Sequence, residues 1–151
     1  MDWLAFSGLV LSGFVACCEF GAFLMVCPIV RRLADTECVE TQRKLLHRRE
    51  NILAIPSALI PIILVGDALR FTQDSWANRT VWGAIFCFSA ALAVTFWWYS
   101  PITKSIDAWN SRLLPTDWKL VQARWHAAQA ARGVLQFAGF ILFCLSVSSR
   151  T

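Results

Sequence analysis

Four long apolar runs separated by polar segments dominate the pattern of the chain. The first, "WLAFSGLVLSGFVACCEFGAFLMVCPIV" (3–30), carries a single charge, Glu19. The runs "ILAIPSALIPIILVG" (52–66), "VWGAIFCFSAALAVTFWWYS" (81–100) and "GVLQFAGFILFCLSVSS" (133–149) carry none. A bilayer core needs ~20 mostly apolar residues in a helix. The first and third runs meet that length directly, and the second and fourth meet it once their flanking turns are counted. The pattern predicts an all-α fold, a four-helix transmembrane bundle with spans at about 3–27, 50–69, 80–100 and 127–147.

The breaks between runs predict where helices stop. Pro28 and Pro101 are expected to close the first and third helices, because a proline pushes the residue before it out of helical geometry. Pro56 and Pro61 fall inside the second run and should bend or loosen it. The polar stretch "RRLADTECVETQRKLLHRREN" reads as a separate helix at the membrane surface, weakly anchored by Leu33, Leu45 and Leu46. Asp67 to Arg79 reads as a loop, and its Asn78-Arg79-Thr80 glycosylation pattern lies too near the membrane to be modified. Pro115-Thr116-Asp117 has the form of a helix start, with a capping side chain and an acid in the first turn. From Asp117 to about Val147 only Gly133 and Gly139 interrupt. About 30 residues at ~1.5 Å each exceed the hydrocarbon core, so the fourth helix should extend beyond the bilayer.

Composition sharpens the class. The 151 residues are 57% hydrophobic and 16% charged, with no repeat or low-complexity segment, which predicts one domain over 1–151. The first run lacks a basic leader and is too long for a signal-peptide core, so it is expected to stay as a span. Gly13, Ala16 and Gly21 give it a small-residue face suited to close packing. The six cysteines form no CxxC and read as small buried apolar side chains. No Cys/His spacing fits a metal, so neither metal nor haem is indicated.

Lys and Arg are distributed unevenly. Arg31, Arg32, Arg43, Lys44, Arg48 and Arg49 fall in the first connection, and Lys104, Arg112, Lys119 and Arg124 in the third. The other side holds only Arg70, Arg79 and Arg150. By the positive-inside rule, the connections at 31–49 and 101–124 are cytoplasmic and both termini are lumenal or extracytoplasmic. The net charge of +4 follows from this asymmetry, and no nucleic-acid partner is expected. The partners implied are the bilayer and a lipophilic small molecule.

The chemistry concentrates on the fourth helix. Residues at i, i+4, i+7 and i+11 share a face, which aligns Trp118, Gln122, Trp125, Gln129, Arg132 and Gln136 in a polar and aromatic stripe descending into the membrane. An arginine at the depth of Arg132 costs ~2.5–3.5 kcal/mol on insertion scales and usually faces a partner in the bundle. Snorkelling to the head groups is the alternative. Glu19 is the one carboxylate inside an apolar run, and its depth matches that of Arg132 to within a turn. The pair either fixes helix packing or forms the charged floor of a pocket between the first and fourth helices. Trp118 and Trp125 can wall such a pocket. His126, about 100° off the stripe, reads as solvated or capping, with proton transfer as the other option, and His47 reads as solvated. Trp97, Trp98, Tyr99, Trp109 and Trp118 fit an interfacial aromatic belt. No P-loop, GxSxG, HExxH or GxGxxG occurs.

Pro101-Ile102-Thr103, "LLPTDWKLVQARW" and the spacing Trp125-x3-Gln129-x2-Arg132 together resemble the anthrone oxygenase-like family of small membrane proteins. The specific part of the resemblance covers 101–132, and the span layout covers nearly the whole chain. Thr103 stands where that family usually has Asn, and Gln129 where it has His or Asn. Gln129 can donate and accept hydrogen bonds but cannot titrate. The resemblance implies a monooxygenase of aromatic polyketide biosynthesis. It would take molecular oxygen as co-substrate, need no cofactor, and oxidise a flat, electron-rich, lipophilic aromatic. Under that reading Glu19 or His126 is the base, and Arg132, Gln129 and Gln136 are donors to a developing oxyanion. Trp118 and Trp125 form the slot and Thr103 orients a hydroxyl. The alternative is a non-catalytic helper subunit or small transporter whose Glu19–Arg132 pair only holds the bundle.

The charge asymmetry makes a topological prediction. With cysteine introduced at Ser149 or at Ser111, an impermeant thiol reagent should reach Ser149→Cys only from the lumenal or external face and Ser111→Cys only from the cytoplasm. Labelling of Ser149→Cys from the cytoplasm would reverse the orientation and leave the number of spans intact.

Overall fold

The computed structural model describes residues 3–30, 32, 35–70, 75–108 and 116–150. These form α1 (Trp3–Gly21), a π-helical segment (Ala22–Val26), α2 (Cys27–Val30), α3 (Asp35–Arg70), α4 (Ser75–Val94), a second π-helical segment (Thr95–Tyr99), α5 (Ser100–Asp107) and α6 (Trp118–Ser148). No strand occurs among the described residues. Four stretches are long and apolar enough to cross a membrane: Trp3–Met25, Ile52–Arg70, Trp76–Ile106 and Trp118–Ser148. The protein is an all-α, multi-pass membrane bundle. Leu33, Trp109 and Pro115, and the side chains of Cys27, Cys38, Leu45, Leu46 and His47, lie outside the described residues.

Each helix packs against its two neighbours in a square: α6 against α4 and α1, and α3 against α1 and α4. The α1 residues turned inward are Ala5, Gly8, Ser12, Val15, Ala16 and Glu19, an alternation of three and four residues that keeps one stripe on the neighbours. Against this stripe α6 presents phenylalanines. A Cβ on Gly8 would lie 2.9 Å from Phe143, and one on Gly13 would lie 3.1 Å from Phe140. Phe20 and Phe137 stack with centroids 4.7 Å apart. Gly21, expected on the same small face, has nothing within 4 Å of a built Cβ. It falls outside the spacing of the buried stripe. The opposite faces carry the apolar residues expected against lipid, among them Val10, Phe14, Ile55, Ile62, Phe86 and Ile141.

Prolines do not end the helices as expected. Pro28 lies within α2 and Pro101 in the first turn of α5. Each is preceded two residues earlier by a π-helical segment. Proline lacks an N–H and clashes with the carbonyl four residues back, and a wider turn shifts that bonding pattern. At the second site the Ser100 N–H bonds to Thr95 O, five residues back, just before Pro101. Chain direction is kept and the register slips. Buried positions on α4 run Ala77, Val81, Ala84, Phe88, Ala91, a series that would continue through Trp98 and Ile102. The buried residues are instead Tyr99, Thr103 and Ile106. Trp97 and Trp98 stay exposed at 84% and 42%, as a belt requires, whereas Tyr99 turns inward.

Two further expectations change. The polar segment expected as a surface helix is the first half of α3, which runs without interruption from Asp35 through Pro56 and Pro61 to Arg70. Asp67, expected in a loop, is a fully buried position of that helix. Asn78-Arg79-Thr80 is likewise helical, at the start of α4. The fourth helix fits its predicted length, although Asp117 rather than Thr116 occupies the N-cap, with no side-chain capping bond.

Gly139 and Gly21 provide a paired test. A Cβ on Gly139 would meet the Phe88 ring at 2.9 Å and Cys87 at 3.1 Å, and Phe88 is 2% exposed, with little room to move. Gly139→Ala should lower thermal stability in detergent by about 1–3 kcal/mol. Gly21→Ala should be neutral or raise stability by up to about 1 kcal/mol through helix propensity.

Candidate functional site

The α6 stripe predicted from spacing faces the bundle interior. Trp125, Gln129, Arg132 and Gln136 are buried, with Trp118 and Gln122 partly so at the outer end. At its centre Arg132 and Gln129, one turn apart, hold Glu19 from α1. Arg132 Nη2 donates to Glu19 Oε1 at 2.9 Å, and Gln129 Nε2 donates to Glu19 Oε2 at 2.9 Å. Glu19 is fully buried, and the Arg132 side chain is 8% exposed. The guanidinium carbon sits 4.4 Å from the centroid of the Tyr99 ring, a favourable placement of a cation on a π face. Tyr99 reaches this place through the register slip before Pro101, so nothing in local spacing separates it from the neighbouring belt residues.

Gly133 marks where helix one crosses the fourth span beside the pair. A Cβ there would lie 3.5 Å from Glu19 O and 3.6 Å from Phe20 Cα. The helix-one backbone thus passes directly over Gly133, and a carboxylate on a short side chain can reach donors on both sides of that crossing.

A cavity of about 250 Å³ adjoins the pair. Glu19 and Arg132 form its charged end, Tyr99 and Leu92 line the third span, and Leu53 and Ser57 line the second. Ala54, Ala58 and Phe96 also line it. These three are exposed, with Phe96 at 71%, so the cavity opens between the second and third spans, toward the space lipid would fill. The pocket expected between the first and fourth helices is therefore displaced. Those helices pack tightly at Gly133 and contribute the charged end, while the open side lies across the bundle.

The remaining sequence candidates lie off the cavity. Trp125 packs against Tyr99, with centroids 6.1 Å apart, and against His126 at 4.9 Å. His126 is buried, at 5% exposure, where a solvated ring was expected. Thr103 Oγ1 donates to Tyr99 O at 2.9 Å, which uses its hydroxyl within its own helix. Trp118 lies under the Lys119 ammonium, 5.6 Å from its ring centroid. Gln136 is buried one turn beyond Arg132. Among the described residues no group of three His, Cys, Asp or Glu side chains is arranged to hold a metal ion.

A second buried ion pair was not foreseen. Arg150 Nη1 lies 2.7 Å from Asp67 Oδ2. Arg150 Nη2 donates to Ser146 Oγ at 2.8 Å, and Ser146 Oγ donates to Ala77 O at 2.9 Å. This network joins α3, α4 and α6 at the end of the bundle remote from Glu19. Asp67 and Arg150 each lie just past an apolar run, where sequence reads them as solvated charges.

No family model matches the chain, and comparisons with curated proteins and with solved structures give no match either.

The Glu19–Arg132 pair lends itself to a double-mutant cycle. Removing one partner of a buried pair typically costs ~3–5 kcal/mol, whereas replacing both with apolar residues can be nearly neutral. Glu19→Gln and Arg132→Met should each lower the melting temperature in detergent, and the double variant should recover much of the loss. A double variant as unstable as the sum of the singles would mean the two charges act independently.

Proposed function

We propose that the protein is a membrane-embedded oxygenase acting on a lipophilic aromatic of the anthrone type, with the cavity at Glu19 and Arg132 as its site. The observation that carries this reading is a carboxylate and a guanidinium at the end of a cavity that opens sideways between two spans. A substrate dissolved in the bilayer would reach these charges without crossing water. The resemblance over 101–132 supplies the reaction class. The Lys and Arg asymmetry supports an orientation with both termini extracytoplasmic, which would put the cavity in the cytoplasmic half.

An anthrone is a carbon acid whose anion is an extended phenolate. Glu19 would accept a proton from the benzylic CH2, and Arg132 would stabilise the charge that develops on the carbonyl oxygen. The anion transfers one electron to O2, and the resulting radical and superoxide combine to a peroxide anion at the same carbon, which takes back the proton held by Glu19 to give the hydroperoxide. Loss of the second benzylic proton, with cleavage of the O–O bond, gives the quinone carbonyl and water. One anthrone and one O2 thus become one anthraquinone and one H2O. Gln129 holds Glu19 in place through its second oxygen, and the Tyr99 ring fixes the guanidinium plane.

A helper reading competes, because both Glu19 oxygens already receive donors from α6 and the pair accounts for helix packing by itself. Purified protein in detergent, given an anthrone and oxygen, separates the two. Anthraquinone absorbance should grow faster than uncatalysed autoxidation. Glu19→Gln should lower the enzymatic rate by about 10²–10⁴, the usual contribution of a general base, while Gly21→Ala should leave it unchanged. A rate equal to that without protein would favour the helper.

A further inference from the structure

Polar atoms at the cavity are left unmatched by the protein itself. Ser57 is 7% exposed, and its hydroxyl has no hydrogen-bond partner. Elsewhere in the bundle such hydroxyls bond back to a carbonyl one turn earlier, as Ser12, Thr80, Thr95 and Thr103 do. Arg132 Nε is also buried without an acceptor, although Nη2 of the same guanidinium holds Glu19. Pro61 adds to this, since it has no N–H to offer the Ser57 carbonyl four residues before it. Ser57 and Arg132 line the same cavity from α3 and α6. Buried polar groups in folded proteins are nearly always matched, so two residues with unmatched polar atoms in the lining of one cavity point to a bound molecule.

Size and opening constrain that molecule. Sites that enclose a drug-sized ligand have volumes of ~300–1,000 Å³, and this cavity, at about 250 Å³, falls just below. It can hold a polar head and part of a ring system, with the rest projecting past Ala54, Ala58 and Phe96. We infer that Ser57 and Arg132 clamp the oxygen atom of a lipophilic aromatic phenol or ketone, which enters sideways from the bilayer between α3 and the Thr95–Tyr99 segment. The serine hydroxyl and the guanidinium donate to that oxygen, and a phenolic O–H can donate in turn to the Ser57 carbonyl. The small side chains of Ala54 and Ala58 leave the doorway open, and the exposed Phe96 ring offers a face to the projecting body. This rests on the cavity being the ligand site of the proposed function, and it requires no oxidation.

The test uses the full chain in lipid nanodiscs, with 2-naphthol and naphthalene as probes matched in shape and differing in one oxygen. 2-Naphthol should raise the melting temperature saturably, and naphthalene should not. Ser57→Ala should weaken the apparent affinity for 2-naphthol about five- to tenfold, the worth of roughly one net hydrogen bond. Ala58→Phe, at an exposed position, should abolish the shift and keep the melting temperature without probe. No saturable shift, equal shifts from both probes, or an unchanged Ser57→Ala would overturn the inference. Saturable 2-naphthol binding through Ser57 without anthrone oxidation would sink the oxygenase and leave the clamp. Normal anthrone turnover by Ser57→Ala would do the reverse.

Discussion

A carboxylate taken out of water into a membrane bundle must be matched where it sits, because its desolvation cost is several kcal/mol even after relaxation. Glu19 is matched by two donors from a single helix, one on each oxygen, and much of the molecule is arranged to allow it. The α1 backbone at Glu19 and Phe20 crosses α6 at Gly133. Glycines at 8 and 13 admit Phe143 and Phe140, which set the same two helices in register. The Tyr99 ring lies against the guanidinium, 4.4 Å from its carbon. The charged pair and the close helix crossing depend on each other. Between helices, lipid supplies little hydrophobic drive, so close packing and interhelical hydrogen bonds carry the association.

The two π-helical segments show how the same chain reconciles prolines with long spans. A proline in an α-helix leaves one carbonyl without its donor and strains the turn before it. In the third span the widened turn at Thr95–Tyr99 absorbs the disruption, and it also rotates the succeeding residues by about one position. That rotation brings Tyr99 to Arg132 and onto the cavity wall. A backbone accommodation thereby selects which aromatic faces the charge and which remain at the surface.

Much of the fold was legible in the chain because the constraint imposed by a bilayer is one-dimensional. Run lengths and the scarcity of charge give the four spans, and the long fourth helix follows from the gap between Asp117 and the next breaker. The Glu19–Arg132 contact was legible for a related reason: an isolated intramembrane charge of each sign, at matching depth, leaves few other solutions. Tyr99 and Ser57 were not legible. Tyr99 depends on a one-residue slip that periodicity cannot register, and Ser57 depends on which spans gape. Asp67 and Arg150 escaped notice because each sits at the edge of an apolar run, where exposure and burial are indistinguishable in one dimension.

The two ion pairs share an order along the chain. Glu19 precedes Arg132, and Asp67 precedes Arg150, so during synthesis both acids leave the ribosome well before their cations. The first two spans must therefore enter the membrane carrying carboxylates that have no permanent neighbour. Those groups gain their partners only when α6 arrives, with Arg132 within it and Arg150 just beyond it. Insertion of the last helix is then also the neutralising event, and a chain stalled before it would present two uncompensated acids to the machinery that removes unassembled membrane proteins.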